Sequence, residues 1–260
     1  MYSIPSPLNF IENKLIPSVL PYSFMQLSEQ TAPATESKIA GKPYLPPREK
    51  LPLTEAGDEM FLVIQINFAD AHLPVPFPQK GIFQLFIDPI MLNAQTIAFN
   101  IIPRKFYEVR FWPEPIHVQS EFLGIQNNLA TLSIKKELSI RFQTRYEPVS
   151  FTDYRLQSFI QNTDIQSFEQ QTEYPFEEVY AQHFLSAENK VGGYPYFINE
   201  DIRLADESLR IYDTMLFQIV SNEDDHIMIG DCGVIKLFIN KQDLTRMDFS
   251  DVLLFVEDYT

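Results

Sequence analysis

Cysteine is nearly absent: Cys232 is the only one in 260 residues, so the chain can form no internal disulfide and no thiolate metal cage of its own. Long apolar runs are missing too. The longest, such as Phe61 to Ile66 and Val252 to Val256, are strand-sized, far below the roughly 20 residues that cross a bilayer, and no membrane segment is expected. The opening MYSIPSPLNFIENKLIP has no basic leader, no sustained apolar core and no small-residue cleavage site, which points to the cytoplasm. Basic side chains are short as well, with Lys plus Arg at 20 against Asp plus Glu at 35. The deficit is uneven. Residues 1–130 hold 9 basic and 12 acidic side chains, residues 131–260 hold 11 and 23, so the second half carries −12 of the −15. Such a field repels phosphate backbones and anionic membranes and attracts a basic protein.

Against these absences stands a 45% hydrophobic chain, enough to bury a substantial core. It repeats itself. SKIAGKPYLP, from Ser37, returns as NKVGGYPYFI, from Asn189, with Lys38 and Lys190 152 positions apart (190 − 38 = 152). Gly41 and Gly193, Pro43 and Pro195, and Tyr44 and Tyr196 share that offset, as do GIFQLFID (Gly81 to Asp88) and GVIKLFIN (Gly233 to Asn240). FLVIQIN and MLFQIV pair at 153 (218 − 65 = 153), with Gln65 opposite Gln218. Three blocks in one order at a nearly constant offset predict an internal duplication. Glycine, only 8 in all, falls mostly within these blocks.

The near-continuous apolar runs suit strands covered on both faces, and the glycine-proline segments suit tight turns followed by extended chain. KFYEVRFW and TLSIKKELSIRFQ alternate like strands, within the intervals Ala94 to Trp112 and Gln119 to Tyr146. Helices are few: a short one from about Pro7 to Leu15, and a connecting helix with Leu156, Phe159 and Ile160 on one face and Thr152 as its cap. LPPREKLPLTEAG reads as a long loop. The expected fold is α+β, mainly antiparallel sheet, duplicated into two related lobes at 1–150 (with the N-terminal helix) and 151–260, packed as one domain.

SKIAGKPYLP, FLVIQINFADAHLP, GIFQLFID, NKVGGYPYFINEDIR, the Gly230-Asp231-Cys232-Gly233 block and DFSDVLLFVEDY together resemble the YwqG-like family of bacterial proteins. The resemblance runs from the first turn motif to the last strand. It implies an internally duplicated α+β fold and no established activity, although some relatives are encoded near secreted toxins. Two positions depart from the pattern: Ala40 stands for a second glycine and Ile229 for an aromatic residue, so any pocket they shape is altered.

No catalytic signature emerges. His72, His117, His183 and His226 are scattered without metal-ligand spacing. Cys232 follows an acid, the wrong neighbour for a reactive thiolate, and is expected to be buried and inert. Glu223, Asp224 and Asp225 lack the alternating positions and the sixth-position glycine of a calcium loop. No catalytic residue, metal site or cofactor is therefore assigned. Lys38, Lys190, Gln65 and Gln218 are polar groups in apolar surroundings, and each needs a partner because an unsatisfied amide costs about 1 to 3 kcal/mol. They serve either as internal braces or, with Asp231, as a polar cleft between lobes. Two functions follow. One is a non-catalytic module, most concretely a cytoplasmic immunity-type protein that meets a basic toxin domain through its acidic C-terminal half, with Glu223, Asp224 and Asp225 in contact. The other is an enzyme or small-ligand binder that uses the cleft.

Overall fold

FLVIQIN, IFQLFI, TMLFQIV and VIKLFI each form a strand with almost no exposed residue, because both of their faces are covered. The computed structural model describes residues 4–92, 100–116 and 133–259. Their strands form a single 11-stranded sheet. In chain order these are β1 (Leu20–Ser28), β2 (Lys38–Ile39), β3 (Phe61–Asn67), β4 (Ile82–Ile87), β5 (Asn100–Ile101), β6 (Tyr107–Trp112), β7 (Leu138–Glu147), β8 (Lys190–Gly192), β9 (Thr214–Val220), β10 (Val234–Ile239) and β11 (Val252–Glu257). Every pairing is antiparallel. With few helices beside it, the sheet makes the fold α+β.

The long β1–β7 pair lies at the centre of the sheet. Outward from it run β2, β3, β4 and β6 on one side, and β8, β9, β10 and β11 on the other, with β5 added beyond β11. Each wing breaks register at a comparable place. Val63 is skipped between Leu62 and Ile64 in the β3–β4 ladder, and Leu216 between Met215 and Phe217 in the β9–β10 ladder. An extra residue on one strand bends that strand and increases its twist, which helps the sheet curl.

Because strand side chains alternate, each wing has an inner and an outer face. Val63, Phe83, Leu85 and Ile87 of the first wing share one buried cluster with Phe217, Ile219, Ile235 and Leu237 of the second. The curl brings the inner faces together: Phe83 contacts Phe217 and Phe249, and Phe111 lies 4.8 Å from Phe249, centroid to centroid. Tyr107 Oη donates to the Val252 carbonyl across the same gap at 2.8 Å. The outer faces carry Gln65 and Gln84 in one wing and Gln218 and Lys236 in the other.

The N-terminal segment forms a 3-10 turn at Ser6–Ile11 followed by α1 (Glu12–Leu15), and α2 (Phe68–Ala71) follows β3 directly. The predicted connecting helix is broken in two. α3 (Leu156–Phe159) stops where Ile160 becomes extended, and α4 (Asn162–Thr172) starts afresh, with Gln161 N–H donating to Asp164 Oδ2. Thr152 caps neither helix; its hydroxyl accepts from Phe197 N–H. A further helix, α5 (Phe176–Phe184), was not legible in the sequence. Phe168, Phe176 and Tyr180 of these helices enclose Leu8, Ile11 and Leu15 of the N-terminal segment in a second apolar cluster. The predicted strand intervals are observed as β5, β6 and β7; their parts at 94–99 and 119–132 lie outside the described residues. No helix among the described residues is long and apolar enough to cross a membrane.

Candidate functional site

Lys38, Gln65 and Gln84 stand side by side on the outer face of β2, β3 and β4, and Lys190, Gln218 and Lys236 do the same on β8, β9 and β10. All six are fully buried. A polar row under an apolar layer is tolerable only if every donor and acceptor is met. The turns supply the partners. Ala40 and Gly41 have φ of 56° and 79°, Gly192 and Gly193 of 72° and 73°, and this left-handed pair folds the following chain back over the row. Gly193 has no room for a side chain, since a Cβ there would lie 2.2 Å from Glu147 Oε1.

The backbone of Tyr44 then lies on Gln65 and that of Tyr196 on Gln218. Gln65 Oε1 accepts from Tyr44 N–H at 2.7 Å, and its amide donates to the carbonyls of Ala34 and Glu36, both at 2.7 Å. Gln218 Oε1 accepts from Tyr196 N–H at 2.8 Å, and Gln218 Nε2 donates to the carbonyls of Ser186 and Glu188, at 2.9 and 3.0 Å. Gln84 donates to the Tyr44 carbonyl and Lys236 to the Tyr196 carbonyl.

The lysines differ in how they are held. Lys38 Nζ donates to three carbonyls, those of Ala32, Pro33 and Lys42, at 2.9, 2.7 and 3.0 Å. With no carboxylate of a described residue in contact, burial pushes its ammonium down to about 8, against partial restoration by Glu137 and Glu36. Lys190 meets both oxygens of Glu147 at 2.7 and 2.8 Å, and Glu147 also accepts from Ser186 Oγ and Tyr194 N–H. Burial again lowers the lysine, while Glu147 draws it back up. Lys236 pairs with Glu257. The two predicted lysine and glutamine pairs are thus each brought together within a wing. β1 and β7 separate one pair from the other, and none of the four side chains reaches solvent.

A further buried charge, like Lys236, escaped the sequence reading. Arg203 is fully buried against Asp201 and Asp153, over the rings of Tyr154 and Phe238. Burial would raise the Asp153 carboxyl, but Arg155 and Arg203 hold it below the usual carboxylate range. The only available signal was a charged Asp201-Ile202-Arg203 beside an apolar segment. Nothing local distinguishes that from a solvated turn.

Glu223, Asp224 and Asp225 form the tip of a hairpin between β9 and β10, and Glu223 and Asp224 are exposed. Asn222 and Ile227 exchange both backbone hydrogen bonds at its base, at 2.8 and 3.0 Å. Asn222 Oδ1 accepts from Asp224 N–H and its amide donates to Asp225 Oδ2. Partial burial and the neighbouring Asp224 raise the Asp225 carboxyl. His226 takes φ 56° and meets Glu29, which also pairs with Lys136. Asp231 is exposed on the following turn, with Tyr259 N–H donating to its carbonyl. Beside it, Cys232 is exposed with φ 62°, contrary to the expected buried thiol, because the turn before Gly233 points outward. Gly233 itself leaves no room for a side chain: a Cβ there would lie 2.3 Å from the Glu257 carbonyl oxygen. His72, His183 and His226 join no metal-holding cluster among the described residues, and His117 lies outside them.

Residues 37–257 match the profile of a family described as a domain of unknown function, DUF1963. No curated protein matches the chain.

Proposed function

The chain belongs to the DUF1963 family, and we propose that it is a non-catalytic binding protein that captures a basic partner through its acidic C-terminal half. Its most concrete form is a cytoplasmic immunity-type protein of the YwqG-like group, with the partner a toxin domain whose basic cleft receives Glu223, Asp224 and Asp225. One observation carries this reading: the acidic tip faces outward on a hairpin whose backbone is already closed by its own hydrogen bonds. A preorganised anionic tip loses little entropy on docking, and its field speeds encounter with a cationic surface. The buried lysines and glutamines support the same reading, since their hydrogen bonds are taken up within the fold.

We also infer that the wings arose by duplication into lobes 1–150 and 151–260. The support is the recurrence of one bonding pattern at equal offsets, from Gln65 to residues 34, 36 and 44 and from Gln218 to residues 186, 188 and 196. On this reading the duplicated polar rows maintain the fold, and selectivity resides in the divergent outer loops.

The test uses the chain as bait in its native lysate, followed by titration of the captured basic protein. Reversing Glu223, Asp224 and Asp225 to lysine weakens capture by at least about tenfold, and added salt weakens wild-type capture in the same direction. Equal affinity for the reversed protein, or capture of no basic partner, rejects the proposal.

A further inference from the structure

A groove of about 550 Å³ opens where the Pro74–Phe77 loop faces α3 and the second glycine turn. Its volume is that of a small-molecule site. Leu20, Val75, Phe77, Phe159, Tyr194 and Met215 are among its apolar lining. Val75 is 82% exposed and Leu20 37%, so the apolar wall is open to an incoming body.

Two cationic side chains, Arg155 and Lys241, line this groove. Arg155 Nε and Nη2 are fixed on Asp153 at 2.7 Å each, and Nη1 on the Asp213 carbonyl at 3.2 Å. A guanidinium has five N–H groups, so two remain for a ligand. The group lies 4.7 Å from the Tyr194 ring centroid and 5.5 Å from that of Tyr154, and its side chain is 25% exposed. Lys241, on the rim, makes no ion pair with any described residue. The one acid in the lining, Asp213, directs Oδ1 to Lys241 N–H and accepts from the Thr214 hydroxyl. On a protein of charge −15, a groove with a prepositioned guanidinium and an unpaired ammonium is an exception.

We propose that this groove binds a small amphiphilic carboxylate, its anionic end on Arg155 and Lys241 and its apolar body along Val75, Phe77 and Phe159. The site is independent of the acidic hairpin and shares no residue with it.

The experiment is a fluorescence titration with 8-anilinonaphthalene-1-sulfonate at pH 7, followed by displacement with octanoate, octanol or octylamine. Charge-assisted hydrogen bonds make octanoate displace the probe at about tenfold lower concentration than octanol, with octylamine weaker still. Lys241→Gln and Val75→Asp, both on exposed side chains, each lower octanoate affinity by about fivefold or more without shifting the melting temperature. Octanol matching octanoate, unchanged affinity in Lys241→Gln, or no probe binding by the wild-type chain overturns the proposal.

Discussion

Replacing Lys38 with methionine tests how this fold accommodates a buried ammonium with no carboxylate of a described residue in contact. The stem packs as before, but the carbonyls of Ala32, Pro33 and Lys42 lose their donor. Each unsatisfied buried acceptor costs about 1 to 3 kcal/mol, and the two partly buried ones recover some of that from water, so a loss of about 3 to 5 kcal/mol is expected at pH 7. The pH dependence is the sharper signature. Burial lowers Lys38 from 10.5 to about 8, so between these values the unfolded chain binds the proton more tightly than the folded one. Stability from this group is therefore lowest below pH 8 and rises with pH, by about 3 kcal/mol at about 1.4 kcal/mol per unit, as the solution approaches pH 10.5. Methionine has no such response. Urea unfolding of both proteins at pH 7, 8, 9 and 10 should give a stability gap that widens with pH, other titrating groups cancelling in the difference. A gap that stays constant or narrows would mean that the three carbonyls hold Lys38 as firmly charged as in water, and would refute the reasoning.

The second wing holds its lysine with a carboxylate, and that changes the expected pattern. Lys190→Met strands the buried Glu147 and costs about 3 to 5 kcal/mol by urea unfolding. Adding Glu147→Gln recovers part of the loss, because it removes the stranded charge and its amide oxygen still accepts from Tyr194 N–H, while its NH2 donates to the Ser186 hydroxyl oxygen once that rotor turns; a double variant less stable than Lys190→Met would sink this account. Gly193→Ala forces both a positive φ and a Cβ 2.2 Å from Glu147 Oε1, so it should cost more than about 3 kcal/mol. Gly57→Ala, with φ 89° and no atom within 4 Å of the new Cβ, should cost only about 1 kcal/mol, and equal melting temperatures for the two variants would contradict the close-approach reading.

Much of the wing architecture was legible because it rests on local rules. Short apolar runs such as IFQLFI suit strands covered on both faces and became such strands, and the glycine-proline segments did become left-handed turns, with Ala40 accepting φ 56° in place of a glycine. The connecting helix was misread because the stop at Ile160 leaves no mark in apolar spacing, while Asp164 restarts the helix by accepting from Gln161. Cys232 was misread because exposure depends on the direction of a turn. The partners of the lysines were the least legible. Glu147 lies 43 positions from Lys190, and the Lys38 partners are carbonyls that every residue possesses.

Sequence alone determined where the main apolar strands and glycine turns fall, that Lys38, Lys190, Gln65 and Gln218 would need partners, and that the second half carries most of the negative charge. These depend on side-chain type and on neighbours a few positions away. Only the tertiary structure decided that the two wings close on one apolar core, that Lys190 and Lys236 take carboxylates while Lys38 takes carbonyls, and that Arg155 is fixed on Asp153 beside an open groove. Each of these depends on long-range register and curl, which bring together residues whose separation along the chain carries no trace of their contact.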